Sequence, residues 1–402
     1  MDERKRLRCV KLFAAVVSLG ALANGLSASI QNNYFSDVYH ITAFQRGLLE
    51  TPRESGGFLC ALLFLLFGAL GDVTLGIGAQ LLMALGLLVM AFLSPSYGVM
   101  ILFLFLYSLG DHLFMPINDS VSMSLAKNAQ GGTSMGYFKR YNYFFSMLSG
   151  AAVFIGFRTK VFSFNAPVIL PFAIAMVLYL ATAVLLVLLR RELPYKKVKG
   201  NPVKIRREYL PYYLTTLAFG CQKRIRIVFA PWVLIELLHK GSDMTAMLLI
   251  LSKLVSSLVS PRVGKLLDRF GVRLSMRMEA IFMMVVFTGE GLFAGAVAAG
   301  KLDGLLCVAI ACVFYILSYL TDQFQMVHSL LMRQLAGDRK EEVTASLSMG
   351  VTVDHLMAVA ISPLLGYFWT SVSPALVFFA AALSALVQLA VSKWMIPEEQ
   401  TV

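Results

Sequence analysis

Lys223, Arg224 and Arg226 fall within four consecutive residues, inside an apolar stretch long enough to cross a bilayer. A charge at the centre of a membrane helix costs about 2.5–3.5 kcal/mol on insertion scales, so it normally faces a cavity or a partner. Lys223 and Arg226, three residues apart, share a helical face. A guanidinium offers a planar fork to a carboxylate or phosphate, and an ammonium a compact point charge. Together with Arg53, Arg140 and Lys253 in other apolar stretches, these cations suit an anionic organic solute. Tyr141 and Gln323 add neutral hydrogen-bonding groups, which equally suit a sugar or a nucleoside. Glu54, Asp111 beside His112, Asp322, and Asp354 beside His355 could each take up and release a proton, because burial and neighbouring charge pull a carboxyl in opposite directions. The same acids could instead neutralise the cations until a solute competes for them, and the two histidines could be ordinary packing residues. Glu50 and Arg53, three apart, read as an internal pair, and Glu290 as a structural acid.

The elements that must position these groups follow from composition. Of 402 residues, 58% are hydrophobic and 14% charged, whereas soluble domains carry about a quarter charged residues. The chain therefore reads as an integral membrane protein, all-α because its apolar runs lack the alternation of a porin strand. A helix needs about 20 residues to span hydrocarbon, which predicts twelve transmembrane helices near 11–31, 44–69, 77–95, 98–124, 134–157, 166–189, 209–235, 243–261, 279–299, 304–332, 345–368 and 374–393. Lysine and arginine gather in the first residues, in the linker 190–208 and between the eighth and ninth spans, so both termini are expected on the cytoplasmic side of the cytoplasmic (inner) membrane. That bias accounts for most of the net charge of +12, and nucleic acid is not an expected partner. The first span is too long for a cleaved signal core. The five cysteines show no CxxC pair and read as buried thiols.

A repeat organises these spans. Gly68-Ala-Leu-Gly-Asp72 recurs as Gly264-Lys-Leu-Leu-Asp268, Asp111 aligns with Asp322, and Ser134-Met-Gly aligns with Ser348-Met-Gly, which sets Arg140 opposite Asp354 in the register. The expected domains are two pseudo-symmetric six-helix halves, 1–189 and 209–402, joined by a basic linker, 190–208.

Residues Gly264 to Arg273 read Gly-x-x-x-Asp-Arg-x-Gly-x-Arg. With two six-span halves and a long basic linker, the chain resembles the major facilitator superfamily, in its twelve-span bacterial form. The resemblance implies alternating access by rocking halves, a solute site near the bilayer midplane, a monomer and no cofactor. It also implies a gating role for Gly68, Asp72, Gly264, Asp268, Arg269, Gly271 and Arg273, with glycines permitting close helix approach. The first copy lacks the arginines after Asp72. The fourth span lacks the arginine, and the fifth the Gly-Pro element, of proton-driven drug antiporters. The expectation is a secondary active transporter for a small polar or anionic organic solute, coupled to protons. A multidrug antiporter and a non-transporting sensor or scaffold of the same fold are the alternatives. No metal-spaced cluster or paired nucleophile and base suggests an enzyme.

Overall fold

The computed structural model describes residues 2–41, 43–93, 96–128, 130–193 and 203–396, without the side chains of 32, 43, 44, 46–48, 50, 242 and 243. The Glu50–Arg53 pairing and linker lysines 196, 197 and 199 thus lie outside the described residues. Within a bilayer every backbone N–H and C=O must be satisfied internally, and the apolar stretches are accordingly helical. The helices are α1 (Glu3–Tyr39), α2 (Ala43–Phe67), α3 (Asp72–Phe92), α4 (Tyr97–Ser124), α5 (Gly131–Arg158), α6 (Leu170–Glu192), α7 (Leu210–Trp232), α8 (Ser242–Ala298), α9 (Gly304–Leu320), α10 (Gln325–Ala336), α11 (Val343–Tyr367) and α12 (Pro374–Trp394).

These helices do not map one-to-one onto the expected spans. The loop expected over 262–278 is helical, so α8 carries both the eighth and ninth spans. Its lysines, leucines, arginines and methionines favour helix, and the chain breaks only at Gly271, where φ is 70° and ψ 171°. Glycine reaches that region without steric cost. Conversely, the tenth span is divided into α9 and α10 by a 3-10 turn at Thr321–Phe324. With α8 counted twice and α9 with α10 once, the described residues form twelve long helical segments, as many as the expected spans. Among the described residues, nine helical stretches are long and apolar enough to cross a membrane, α8 counting once. The two expected spans outside that group, α5 and α7, are those with Lys139 and Arg140, and with Lys223, Arg224 and Arg226. The chain is an integral, multi-pass membrane protein.

Two compact units divide the chain. One comprises Met1–Ala129, Tyr137–Lys204 and Asp338–Thr352. In it, Tyr34, Met83, Leu104, Phe172 and Tyr179 form a buried cluster among α1, α3, α4 and α6, with Tyr34 edge-on to Phe172 at 5.0 Å between centroids. A second cluster gathers Phe13, Phe64, Ile117, Phe138 and Leu186. The other unit comprises Gln130–Gly136, Ile205–Gly337 and Val353–Val402. Its core sets Ile225 and Phe229 of α7 against Ala280 and Phe287 of α8 and Phe378 and Ala381 of α12.

Candidate functional site

The basic cluster of α7 sits in the second unit, and each cation has a different partner. Lys223 donates to Asp354 of α11 at 2.6 Å, and Arg226 to Asp322 of the Thr321–Phe324 turn, also at 2.6 Å. The three-residue spacing thus presents two ion pairs along one face of α7, as the helical period requires. Arg224, off that face, donates through Nε to the Ser362 hydroxyl at 2.9 Å. The Arg226 guanidinium also lies over the Tyr319 ring, 5.2 Å from its centroid. His355 is buried, with Nε2 4.0 Å from Asp354. On α8, half-buried Lys253 has no ion-pair partner among the described residues. Gln323 accepts from the Ser260 hydroxyl at 2.6 Å, and its Nε2 is enclosed without a hydrogen-bond partner.

The first unit holds the other expected residues, in two separate groups. Asp111 accepts from Asn24 Nδ2 at 3.3 Å, and the same amide reaches the Tyr107 hydroxyl at 3.4 Å. Tyr107 is linked in turn to Ser27 at 2.8 Å and Tyr179 at 3.3 Å, so α1, α4 and α6 share one polar chain. Ser27, Tyr107 and Tyr179 were not among the expected residues, because single hydroxyls inside apolar stretches resemble packing residues. Glu54 and His112 lie with a carboxylate oxygen and a ring nitrogen within 4.8 Å. His112 Nδ1 is 2.7 Å from the Ser108 carbonyl one turn back in its own helix, while the Ser108 hydroxyl donates to the Arg53 carbonyl. Gly56 makes that α2–α4 approach possible: a Cβ there would stand 2.8 Å from the Ser108 carbonyl oxygen. Arg140 is exposed and has no ion pair among the described residues. Tyr141 bonds the Tyr137 hydroxyl at 3.0 Å and stacks on Phe145 at 6.4 Å.

The two copies of the repeated motif are built differently. Asp268 accepts the backbone N–H groups of Gly132 at 2.8 Å and Thr133 at 2.7 Å, capping the first turn of α5 within the second unit. That turn has unsatisfied donors and the positive end of the helix dipole, so a carboxylate is its natural partner. Gly132 and Gly264 permit the contact, since a Cβ on Gly132 would stand 2.5 Å from the Gly264 carbonyl oxygen. Arg273 donates to the Ser392 and Lys393 carbonyls at 3.0 and 3.1 Å, at the negative end of α12, while Arg269 lies over Phe270 at 5.3 Å. In the first copy, Asp72 accepts from Thr344 at 2.6 Å and Ser120 at 3.1 Å. Gly68 begins the 3-10 turn that precedes α3. The left-handed glycine is Gly71 here, immediately before the aspartate, but Gly271 in the second copy, three residues after it. Asp72 therefore opens a helix, and Asp268 lies before the break.

A third polar group was missed. Glu279 accepts from His328 Nε2 and Gln388 Nε2, both at 2.8 Å, and Gln388 accepts from Gln222 Nε2 at 2.9 Å. Glu279 had been placed at the very edge of the ninth span. Continuation of α8 through 262–278 carries it inward, where it is fully buried. An amide in the middle of α12, Gln388, was the available signal.

This arrangement of helices has the fold of the major facilitator superfamily. No family model and no curated protein matches the chain by sequence. Among solved structures, the Escherichia coli fucose:proton symporter FucP is 14% identical, with a TM-score of 0.76 over 98% of this chain and all of that one. A bacterial homologue of the iron transporter ferroportin is 15% identical over 96% and 99% of the two chains, with a TM-score of 0.70. The human organic anion transporter MFSD10 is 11% identical over 98% and 100%, also with a TM-score of 0.70.

Proposed function

We propose that the protein is a secondary active transporter for a small organic anion or polar solute, working by alternating access in the cytoplasmic membrane, with both termini cytoplasmic and protons as coupling ion. The observation that carries this reading is the stripe of α7, where Lys223–Asp354 and Arg226–Asp322 form two pairs that a solute can open. Opening a pair releases an aspartate from its cation, and a solute carboxylate replaces the charge at little net cost. Lys253 favours an anion, because it adds a positive charge that no described acid balances. Similarity to a fucose:proton symporter and to an organic anion transporter supports both the reaction class and the breadth of solutes. Asp268 serves as a gate latch in this account: its two bonds to the first turn of α5 are broken and remade as access alternates. Asp72, held by hydroxyls, serves as a second and weaker latch.

A thermal-shift screen of the purified protein against succinate, benzoate, L-fucose, uridine and tetraphenylphosphonium tests the solute class. A ligand at one hundred times its Kd stabilises the native state by about 2.7 kcal/mol. An acid is expected to raise Tm. Arg224→Gln should weaken that binding at least about tenfold, or about 1.4 kcal/mol, while lowering the unliganded Tm less than Asp322→Ala does. A shift given by tetraphenylphosphonium and by none of the acids, sugar or nucleoside would favour the drug-antiporter reading. Equal acid binding by wild type and Arg224→Gln would remove Arg224 from the site, and equal binding by Lys223→Gln as well would remove the α7 cluster.

A further inference from the structure

We propose that Glu279 and His328 form a proton-binding site inside the second unit, where the coupling proton is held during the transport cycle. The proposal rests on the transport reading above. Glu279 is 0% exposed and His328 4% exposed, and they meet at 2.8 Å. Both hydrogen bonds to the acid fall on Oε1, one from His328 and one from Gln388. Glu279 Oε2 and His328 Nδ1 are enclosed without a hydrogen-bond partner. With a neutral imidazole donating through Nε2, the pair carries one negative charge. Addition of one proton at Oε2 makes the pair neutral overall and breaks none of the existing bonds. A buried charge is costly, so loading the proton removes a penalty that unloading restores.

The surroundings isolate this exchange from other charges. From α7, Phe219 packs on the His328 ring at 4.8 Å between centroids, and Gln222 orients Gln388. Of the titratable groups on α7, Cys221 reaches Ser384 of α12, and Lys223 and Arg226 pair with Asp354 and Asp322. The groups that α12 presents, Gln388 and Ser384, are neutral. The turn Arg207–Tyr209, which packs on α10, adds buried Tyr209. Among the described residues, His328 is the titratable partner that acts on Glu279.

Two helices connect the site to the ion pairs. Gln222 and Arg226 stand four apart on one face of α7. His328 follows Asp322 by six residues, in the helix that the Asp322 turn begins. A change in the charge of Glu279–His328 is therefore transmitted along α7 and α10 to Arg226–Asp322, which gives the proton a route to the solute site that does not require its own carboxylate there.

Infrared difference spectra of the purified protein, stepped from about pH 8 to about pH 5, read the site without any solute. The expected result is a carboxylic-acid carbonyl signal that grows on acidification, is absent from E279Q and persists in E290Q, in which the other buried acid of α8 is removed. In H328Q, which keeps the acid and decides the matter should E279Q not fold, the midpoint should move by about one pH unit or more. An unchanged signal in E279Q, or an unchanged midpoint in H328Q, would overturn the proposal. In proteoliposomes given labelled succinate, benzoate or L-fucose, E279Q should retain exchange and lose uptake driven by a pH gradient. Gradient-driven accumulation equal to wild type would also overturn it. Absence of flux of every probe in the wild type would count against the transport reading alone, and the spectra would still decide whether the pair binds a proton.

Discussion

Asp322→Ala is expected to destabilise the protein by about 3 kcal/mol, the lower part of the range for removing one partner of a buried pair. The side chain of Arg226 is 5% exposed and that of Asp322 is 21% exposed, so solvent cannot replace the lost carboxylate fully. The guanidinium keeps its place over Tyr319, but a cation–π contact contributes only about 0.5–2 kcal/mol and does not supply the missing charge. The double variant Arg226→Leu with Asp322→Ala should recover much of the loss, because an apolar substitute for a buried pair is often neutral or stabilising. Unfolding of the purified protein, followed for both single variants and the double, gives the coupling directly. Additive losses would show that the 2.6 Å pair contributes no mutual stabilisation. The same cycle on Lys223 and Asp354 should give a smaller coupling, since Lys223 is more exposed than Arg226.

Gly264→Val is the second substitution with a large expected effect. A Cβ on Gly264 would collide with the Gly132 carbonyl and stand 3.2 Å from the Gly136 Cα, so no side chain fits without moving the first turn of α5. Overpacking of this kind costs about 1–3 kcal/mol. Displacement of the turn also breaks the two bonds to Asp268, and loss of such a cap costs about 1 kcal/mol more. Asp268→Asn keeps the size and loses the charge, and should show the smaller effect alone. A Gly264→Val protein that melts with the wild type would mean that α5 and α8 have no close contact at these glycines.

Much of the fold was legible because a bilayer imposes one strong rule, apolar length, and most of the chain obeys it, with α5 and α7 and their embedded cations as the departures. What the rule does not encode is where a helix continues past the apolar stretch. Residues 262–278 carry Arg262, Lys265, Asp268, Arg269, Arg273 and Arg277, a composition that reads as a loop, yet helix propensity and the absence of a proline after Pro261 keep them helical. That single misplacement hid Glu279. The cations of α7 were legible because charges are rare in such helices, but their partners were not: the repeat sets Arg140 in register with Asp354, whereas in space Asp354 meets Lys223. Register compares equivalent positions of two halves, and an ion pair depends on which faces of α7 and α11 pack together. Gly71 and Gly271 show the same limit. Both lie close to the repeated aspartates, and only the backbone angles reveal that one break precedes its aspartate and the other follows it.

Flux through reconstituted vesicles carries the greatest weight for the transport reading. Purified protein in liposomes, given labelled succinate, benzoate and L-fucose, should exchange at least one of them across the bilayer, and Arg224→Gln should slow that exchange at least about tenfold at low solute, or about 1.4 kcal/mol. A ligand that raises Tm and yet crosses no faster than in empty liposomes would contradict transport and leave a sensor or scaffold built on the same fold.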